Sequence, residues 1–236
     1  MRLLVLAGGF GTRLRGTIAD TPKALAPVGG IPFLKLQLEN WLAQGLSNFT
    51  FLLHHQADQI ISFLKSLEDN MLRECEIQYL VEPVPMNTGG AIAYAVGKLK
   101  VKGSFLVANA DTWLGDGVSQ ISSINAPAMT VVELINTDRY GRVQFDSEHY
   151  ITSFHEKSVE VSKGWVNAGL CHLSVDLFNQ WNGNPFSLET ELFGVLAKHR
   201  RLKAVPLRTS FIDIGVPEDY KSFCSWKSNS STFLQD

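Results

Sequence analysis

Short apolar runs alternate with segments of helical period through the first half of this chain, and that rhythm restricts the fold more than any other feature. Residues 3–7, 49–53, 76–81 and 104–108 read as strands, and 60–67 and 90–98 read as helices. Residues 33–45 carry Phe33, Leu34, Leu38, Trp41 and Leu42 at helical spacing, with Gly45 where a helix stops. Repetition of strand and helix builds a mostly parallel sheet with helices on both faces. The expected core is therefore a three-layer α/β/α domain.

The rhythm changes after Asp111. Residues 128–135, 141–145, 150–155 and 165–173 read as successive strands, with Asp146-Ser147-Glu148 as a hairpin turn. A helix is expected over 187–199, capped by Ser187, then a short strand at 205–207. A last helix over 217–226 opens with Pro217 in its first turn. The expectation is one domain over 1–228, with a β-rich insertion in its second half and a flexible tail at 229–236.

With 236 residues and 45% hydrophobic content, the chain can bury a full core. Its formal net charge of −2 gives no basic field for holding nucleic acid, so phosphate must be gripped by local groups. Cys75, Cys171 and Cys224 lie far apart without a CxxC, which fits a reduced, cytoplasmic protein. The apolar run at 3–7 is too short for a signal peptide or a membrane span, so no membrane partner is expected. A homodimer remains open.

The first strand runs straight into Gly8-Gly9-Phe10-Gly11-Thr12-Arg13, with Lys23 following between Pro22 and Pro27. In an open α/β sheet, ligands bind beyond the carboxyl ends of the strands. Glycines let backbone N–H groups approach an anion closely and form a concave nest. Thr12 adds a hydroxyl, Arg13 a two-pronged grip on phosphate oxygens, and Lys23 a compact charge. No Lys-Ser or Lys-Thr follows Gly11, so this is not a Walker loop. A glycine is also missing at position 14, where a dinucleotide fingerprint needs one.

Gly8-Gly9-Phe10-Gly11-Thr12-Arg13-Leu14 with Pro22-Lys23 resembles the signature of sugar-1-phosphate nucleotidyltransferases. These enzymes join a nucleoside triphosphate to a sugar 1-phosphate and release pyrophosphate. The resemblance implies a Rossmann-like three-layer α/β/α core. It also implies that Ala7, Gly8, Gly9, Gly11 and Thr12 wrap the triphosphate, that Arg13 neutralises the departing pyrophosphate, and that Lys23 sits by the reacting phosphates. Asn87-Thr88-Gly89-Gly90 resembles the run that packs against the nucleobase, with Asn87 in place of a glycine; Asn tolerates left-handed backbone angles. Asp111, ending an apolar strand, and Asp213, in Phe211-Ile212-Asp213-Ile214-Gly215, resemble the two carboxylates that hold Mg²⁺. In the insertion, Tyr140 and Gly141, Glu156 and Asn167 resemble sugar-binding positions, and Lys157 a contact to the sugar phosphate. The implied halves are nucleotide-binding over about 1–112 and sugar-binding over about 113–228.

A sugar phosphate is already an anionic nucleophile at neutral pH, so no strong general base is needed. The implied reaction is an in-line displacement at the α-phosphorus, run by positioning and charge neutralisation. The stretches Ala26-Pro27-Val28, Ile31-Pro32-Phe33-Leu34, Asp138-Arg139-Tyr140-Gly141 and Asp213 through Tyr220 are most similar to D-glycero-α-D-manno-heptose 1-phosphate guanylyltransferases. That similarity implies GTP as donor and a role in bacterial surface polysaccharide assembly. Mannose-1-phosphate guanylyltransferases, and uridylyl- or thymidylyltransferases acting on N-acetylmuramate or glucose 1-phosphate, are the alternatives. A non-catalytic nucleotide-sugar sensor should have lost some of Arg13, Lys23, Asp111 and Asp213, and all four are present. A glycosyltransferase would need Asp-x-Asp, and Asn109-Ala110-Asp111 offers one carboxylate. His54, His55, His155 and His172 lack the spacing of a zinc site.

Overall fold

The computed structural model describes residues 1–14, 16–18, 21–137, 140–155 and 163–232. Of the positions singled out above, Asp138, Arg139, Glu156 and Lys157 lie outside these. The chain opens with β1 (Arg2–Leu6) and the glycine loop. A single turn at Lys23–Leu25 and the small hairpin of β2 (Pro27–Val28) and β3 (Ile31–Pro32) lead into α1 (Phe33–Ala43). Then come β4 (Asn48–Leu53), α2 (Ala57–Glu68), β5 (Glu76–Val81), α3 (Asn87–Leu99) and β6 (Ser104–Asn109). β7 (Thr112–Leu114) and α4 (Val118–Ser122) precede the strands β8 (Ala128–Leu134), β9 (Arg142–Phe145), β10 (Ile151–His155) and β11 (Gly164–Ser174). A wide helical turn, Leu188–Phe193, runs into α5 (Gly194–Lys198). β12 (Lys203–Leu207), β13 (Phe211–Asp213) and α6 (Pro217–Thr232) complete the described chain.

Among the described residues the main sheet has nine strands. Its first half, ordered β6-β1-β4-β5, is parallel throughout, as the strand–helix alternation requires. The second half is grafted on through β11, which runs antiparallel to β6, β8 and β9. Successive residues of β1 feed opposite faces. Leu3 and Val5 pack with Leu38 and Trp41 of α1 and Ile60 and Leu64 of α2. Leu4 packs on the other face with Ile92 and Ala95 of α3 and Leu196 of α5. Each buried Leu, Ile or Val among them contributes about 1.5–3 kcal/mol of transfer free energy. The expected three layers follow from that alternation.

A third apolar cluster joins distant parts of the chain. Leu14, at the end of the glycine signature, is fully buried among Val28, Phe33, Tyr220 and Phe223. The Phe33 and Phe223 rings meet edge-on at 5.0 Å. Leu14 therefore anchors the loop onto α1 and α6, and the cations beside it start from a fixed root.

Two differences from the sequence expectation are informative. β7 and β13 form a separate two-stranded antiparallel ladder that the period analysis did not foresee; each is three residues long, too short to show a period. The last helix runs past 226 to Thr232. Its first turns are held by buried Tyr220 and Phe223, and each further residue adds one backbone hydrogen bond once a helix is nucleated. Among the described residues no helix is long and apolar enough to cross a membrane.

Candidate active site

The glycine loop leaves β1 at the carboxyl edge of the sheet. Gly8 is a close-approach position: a Cβ there would lie 3.0 Å from the His54 backbone nitrogen and 3.2 Å from Glu82 Oε1. Gly11 adopts φ +61°, the left-handed region that glycine enters without steric cost. Gly9 has nothing within 4 Å of where a Cβ would stand, so its backbone faces open space.

That space is a cavity of about 340 Å³ lined by Gly9, Gly11, Thr12, Arg13, Lys23 and Asp111, with Ala7 in its floor. Across Gly9 and Phe10 lies a second cavity of about 320 Å³, walled by Gly8, His54, Glu82, Met86, Asn87 and Thr88. A third, of about 440 Å³, is lined by Tyr140, Gly141, Asn167, Glu189, Thr190 and Asp213. Asp111 lines the first and second, and Asp213 the second and third. The three form one trough along the strand ends, with the two carboxylates at its junctions.

The β7–β13 ladder makes this junction. Asp213 pairs with Thr112 across it, next to Asp111, and the Ile214 N–H donates to the Asp111 carbonyl oxygen at 2.9 Å. The Asp213 Oδ1 accepts the Gly215 N–H at 2.7 Å. Residues over a hundred positions apart in sequence thereby converge on one cation. The Lys23 ammonium lies 2.6 Å from Asp111 Oδ2 and 3.6 Å from Asp213 Oδ1. The lysine side chain is 13% exposed and the two carboxylates 35% and 33%. They remain accessible to a second cation from the trough.

This donor set fits a hard divalent ion. Two carboxylates facing one positive charge leave most of an octahedron to phosphate oxygens and water. Among the described residues no group of three or more His, Cys, Asp or Glu is assembled as a metal cluster.

The second cavity contains a group that motif reading passed over. Glu82 is buried, and its Oε2 accepts the Met86 N–H at 3.0 Å. Burial pushes its carboxyl above the ordinary glutamate value, while the Met86 amide and His54 pull it back. His54 Nδ1 lies 3.1 Å from the Glu82 carbonyl oxygen. The half-exposed Phe10 ring leans on His54 and His55, with centroids at 5.8 and 5.3 Å.

Asn87 takes φ +57°, a left-handed conformation that Asn tolerates. Thr88 also lines this cavity; its hydroxyl donates to Glu189 Oε2 at 2.8 Å and accepts the Leu188 N–H at 2.9 Å. Gly89 and Gly90 do not join them. Both are buried against the segment before the wide turn, and their N–H groups donate to the Phe186 carbonyl at 2.9 and 3.2 Å. A Cβ at Gly89 would lie 2.2 Å from the Phe186 ring. These glycines let a loop pack on the start of α3, where the sequence reading had set them against a nucleobase.

In the third cavity Asn167 Oδ1 accepts the Gly169 N–H at 3.0 Å, bracing an irregularity in β11 where Gly169 adopts φ +79°. The Tyr140 ring packs on Phe211 at 5.5 Å. Glu156 and Lys157 lie outside the described residues. Glu189 and Thr190 were missed because the stretch around them reads as an ordinary acidic helix start. Glu82 was missed because a charge directly after an edge strand reads as solvated.

The whole described core matches a known family model: residues 2–223 match the model for nucleotidyl transferases. The chain is 34% identical over 225 residues to the D-glycero-alpha-D-manno-heptose 1-phosphate guanylyltransferase of Campylobacter jejuni, covering 94% of this chain and 98% of that protein. It is 29% identical to the mannose-1-phosphate guanyltransferase of Aspergillus oryzae, and there it spans 63% of the relative's length. Among solved structures, HddC from Yersinia pseudotuberculosis complexed with GMP-PN aligns with a TM-score of 0.80 and 29% identity, covering 95% of this chain and 98% of that one. A UDP-glucose pyrophosphorylase complexed with UDP-glucose shares the fold at 18% identity, with a TM-score of 0.79.

Proposed function

The chain belongs to the nucleotidyl transferase family, and from that premise we propose that it joins GTP to D-glycero-α-D-manno-heptose 1-phosphate, giving the GDP-sugar and pyrophosphate. The observation that carries this reading is the convergence of Lys23, Asp111 and Asp213 between the glycine-loop cavity and the cavity of Tyr140, Gly141 and Asn167. A triphosphate in the first and a sugar in the third would meet at the two carboxylates. The division into a nucleotide half (1–112) and a sugar half (113–228) is part of the same proposal.

In this reading the Gly8, Gly9 and Gly11 backbone and the Thr12 hydroxyl bind the triphosphate, and Arg13 holds the departing pyrophosphate. Lys23 turns from the carboxylates toward the transferring phosphate, and Lys157 pairs with the attacking sugar phosphate. Asp111 and Asp213 would hold Mg²⁺, which when bound offsets the negative charge of the two phosphate groups. Asn167 and Glu156 orient sugar hydroxyls, and Gly141 lets the sugar lie against the backbone.

Glu82 favours guanine. Guanine presents two adjacent donors, N1–H and the 2-amino group, and a carboxylate accepts both. Uracil and thymine flank their single N3–H with carbonyl oxygens, which a carboxylate repels. The names of the Campylobacter relative and of the GMP-PN complex point the same way.

Pyrophosphate release tests the proposal, measured with Mg²⁺ for GTP, UTP, dTTP, CTP and ATP against heptose, mannose and glucose 1-phosphates. The highest kcat/KM is expected for GTP with the heptose 1-phosphate. Preference for UTP or dTTP would overturn the guanylyl assignment, and no release with any pair would overturn the transferase.

A further inference from the structure

We propose that Gln37 is a positioning residue for the two carboxylates, acting from α1 through the backbone that carries them. The inference rests on the reading of Asp111 and Asp213 as metal carboxylates. Gln37 is 2% exposed on a helix face otherwise built of Phe33, Leu34, Leu38 and Trp41. Its Nε2 donates to the Asn109 carbonyl at 3.1 Å and the Thr112 carbonyl at 2.7 Å. Those two carbonyls bracket Ala110-Asp111, so one amide spans the turn that presents the carboxylate.

The contact belongs to a ladder. Asn40 Nδ2, one helical turn on, donates to the Leu114 carbonyl at 2.8 Å, and Gln44 Oε1, one further turn on, accepts the Val118 N–H at 3.0 Å. Side chains at 37 and 40 share one face of α1, and Gln44 caps the helix one turn beyond them. Together they stitch that helix to the backbone from 109 to 118. The Thr112 backbone held by Gln37 is also the partner of Asp213 in the β7–β13 ladder, and Asp111 receives the Ile214 N–H. Displacing the 109–112 turn would therefore move both carboxylates.

The cost of Gln37 argues against a purely packing role. Its Oε1 is buried with no partner among the described residues. An unsatisfied buried acceptor is destabilising, and an apolar side chain would avoid it. What the amide supplies, and leucine cannot, is the pair of donors that fixes the turn. Groups that orient metal ligands from behind change metal affinity by about ten- to a hundredfold when removed.

The test compares Gln37→Leu with Asn40→Leu and Gln44→Leu, which remove side-chain bonds to the same backbone segment farther from Asp111, one donated to a carbonyl and one accepted from an N–H. Thermal melting and Mn²⁺ binding, read by electron paramagnetic resonance with a non-hydrolysable GTP analogue, are measured on each, with Asp111→Asn alongside. All three amide variants should melt lower. Only Gln37→Leu should weaken Mn²⁺, by about ten- to a hundredfold. The proposal is overturned if Gln37→Leu binds Mn²⁺ within about twofold of wild type, or if the other two weaken it as much. Should Gln37→Leu not fold, Gln37→Met gives the same readings. Wild-type Mn²⁺ affinity in Asp111→Asn would sink the metal reading and this inference with it. Weak binding there, with normal binding in Gln37→Leu, would sink the inference alone.

Discussion

The Lys23 ammonium lies 2.6 Å from the Asp111 carboxylate and 3.6 Å from that of Asp213. A cation suited to phosphates is thus held by the two groups suited to a metal ion. The pairing sets one positive charge against both carboxylates, and it keeps the lysine at the edge of the phosphate cavity.

Lys23→Met should therefore do two separable things. Turnover should fall by about 10²–10³-fold, the usual loss for one preorganised charge at a transition state. Without divalent ion, the variant should also melt lower than wild type, because Asp111 and Asp213 face each other unneutralised. Mn²⁺ should restore more melting temperature to the variant than it adds to wild type. Differential scanning calorimetry with and without Mn²⁺ checks this, and equal increments would refute the shared-cation account.

Glu82→Gln should trade activity for stability. A hydrogen bond to a charged group contributes about 1.5–3 kcal/mol, so kcat/KM for GTP should drop by about ten- to a hundredfold. The Gln amide offers uracil one donor and one acceptor, so relative activity with UTP should rise. Burial holds the Glu82 carboxyl above its ordinary value of 4.5, so the folded state takes up its proton more readily than the unfolded chain. The stability tied to that proton is present in acid and lost as pH rises through the raised value. Above it, wild type carries a buried ionised carboxylate that the variant lacks. Urea melts should show Glu82→Gln more stable near neutral pH, with the gap closing toward pH 4.5. A gap independent of pH would contradict the burial argument.

Two glycine-to-alanine changes should part company. Gly89→Ala drives a methyl into the Phe186 ring and should cost about 1–3 kcal/mol of stability, as overpacked cores do. Gly9→Ala meets no neighbour, so its melting temperature should hold, while KM for GTP should rise because the methyl projects into the proposed phosphate cavity. Comparable melting losses in both would contradict the assigned environments.

Much of this was legible in the residues, and where it was not the reason is physical. Period and apolar runs carry long elements: β5 spans 76–81 as expected, and α1 and β4 differ from their expected bounds only at the ends. The approach of Asp213 to Asp111 had no periodic signal, because it depends on β7 and β13, three residues each, pairing across the fold. Only resemblance to a motif could pair them. That resemblance gave no hint that Gly89 and Gly90 face Phe186, since a glycine that admits a ligand and one that admits a neighbouring ring look alike in sequence. Gln37 reads as a polar interruption of an apolar helix face, and its two carbonyl partners lie 72 and 75 positions away.

The account stands most directly on where a divalent ion settles. Anomalous diffraction from crystals grown with Mn²⁺ and a non-hydrolysable GTP analogue would locate it. The predicted result is a single strong peak coordinated by Asp111 and Asp213 together, with the Lys23 ammonium turned from them toward the phosphates. An ion bound away from Asp213, or Lys23 still clasped between the two carboxylates with the ion in place, would contradict it.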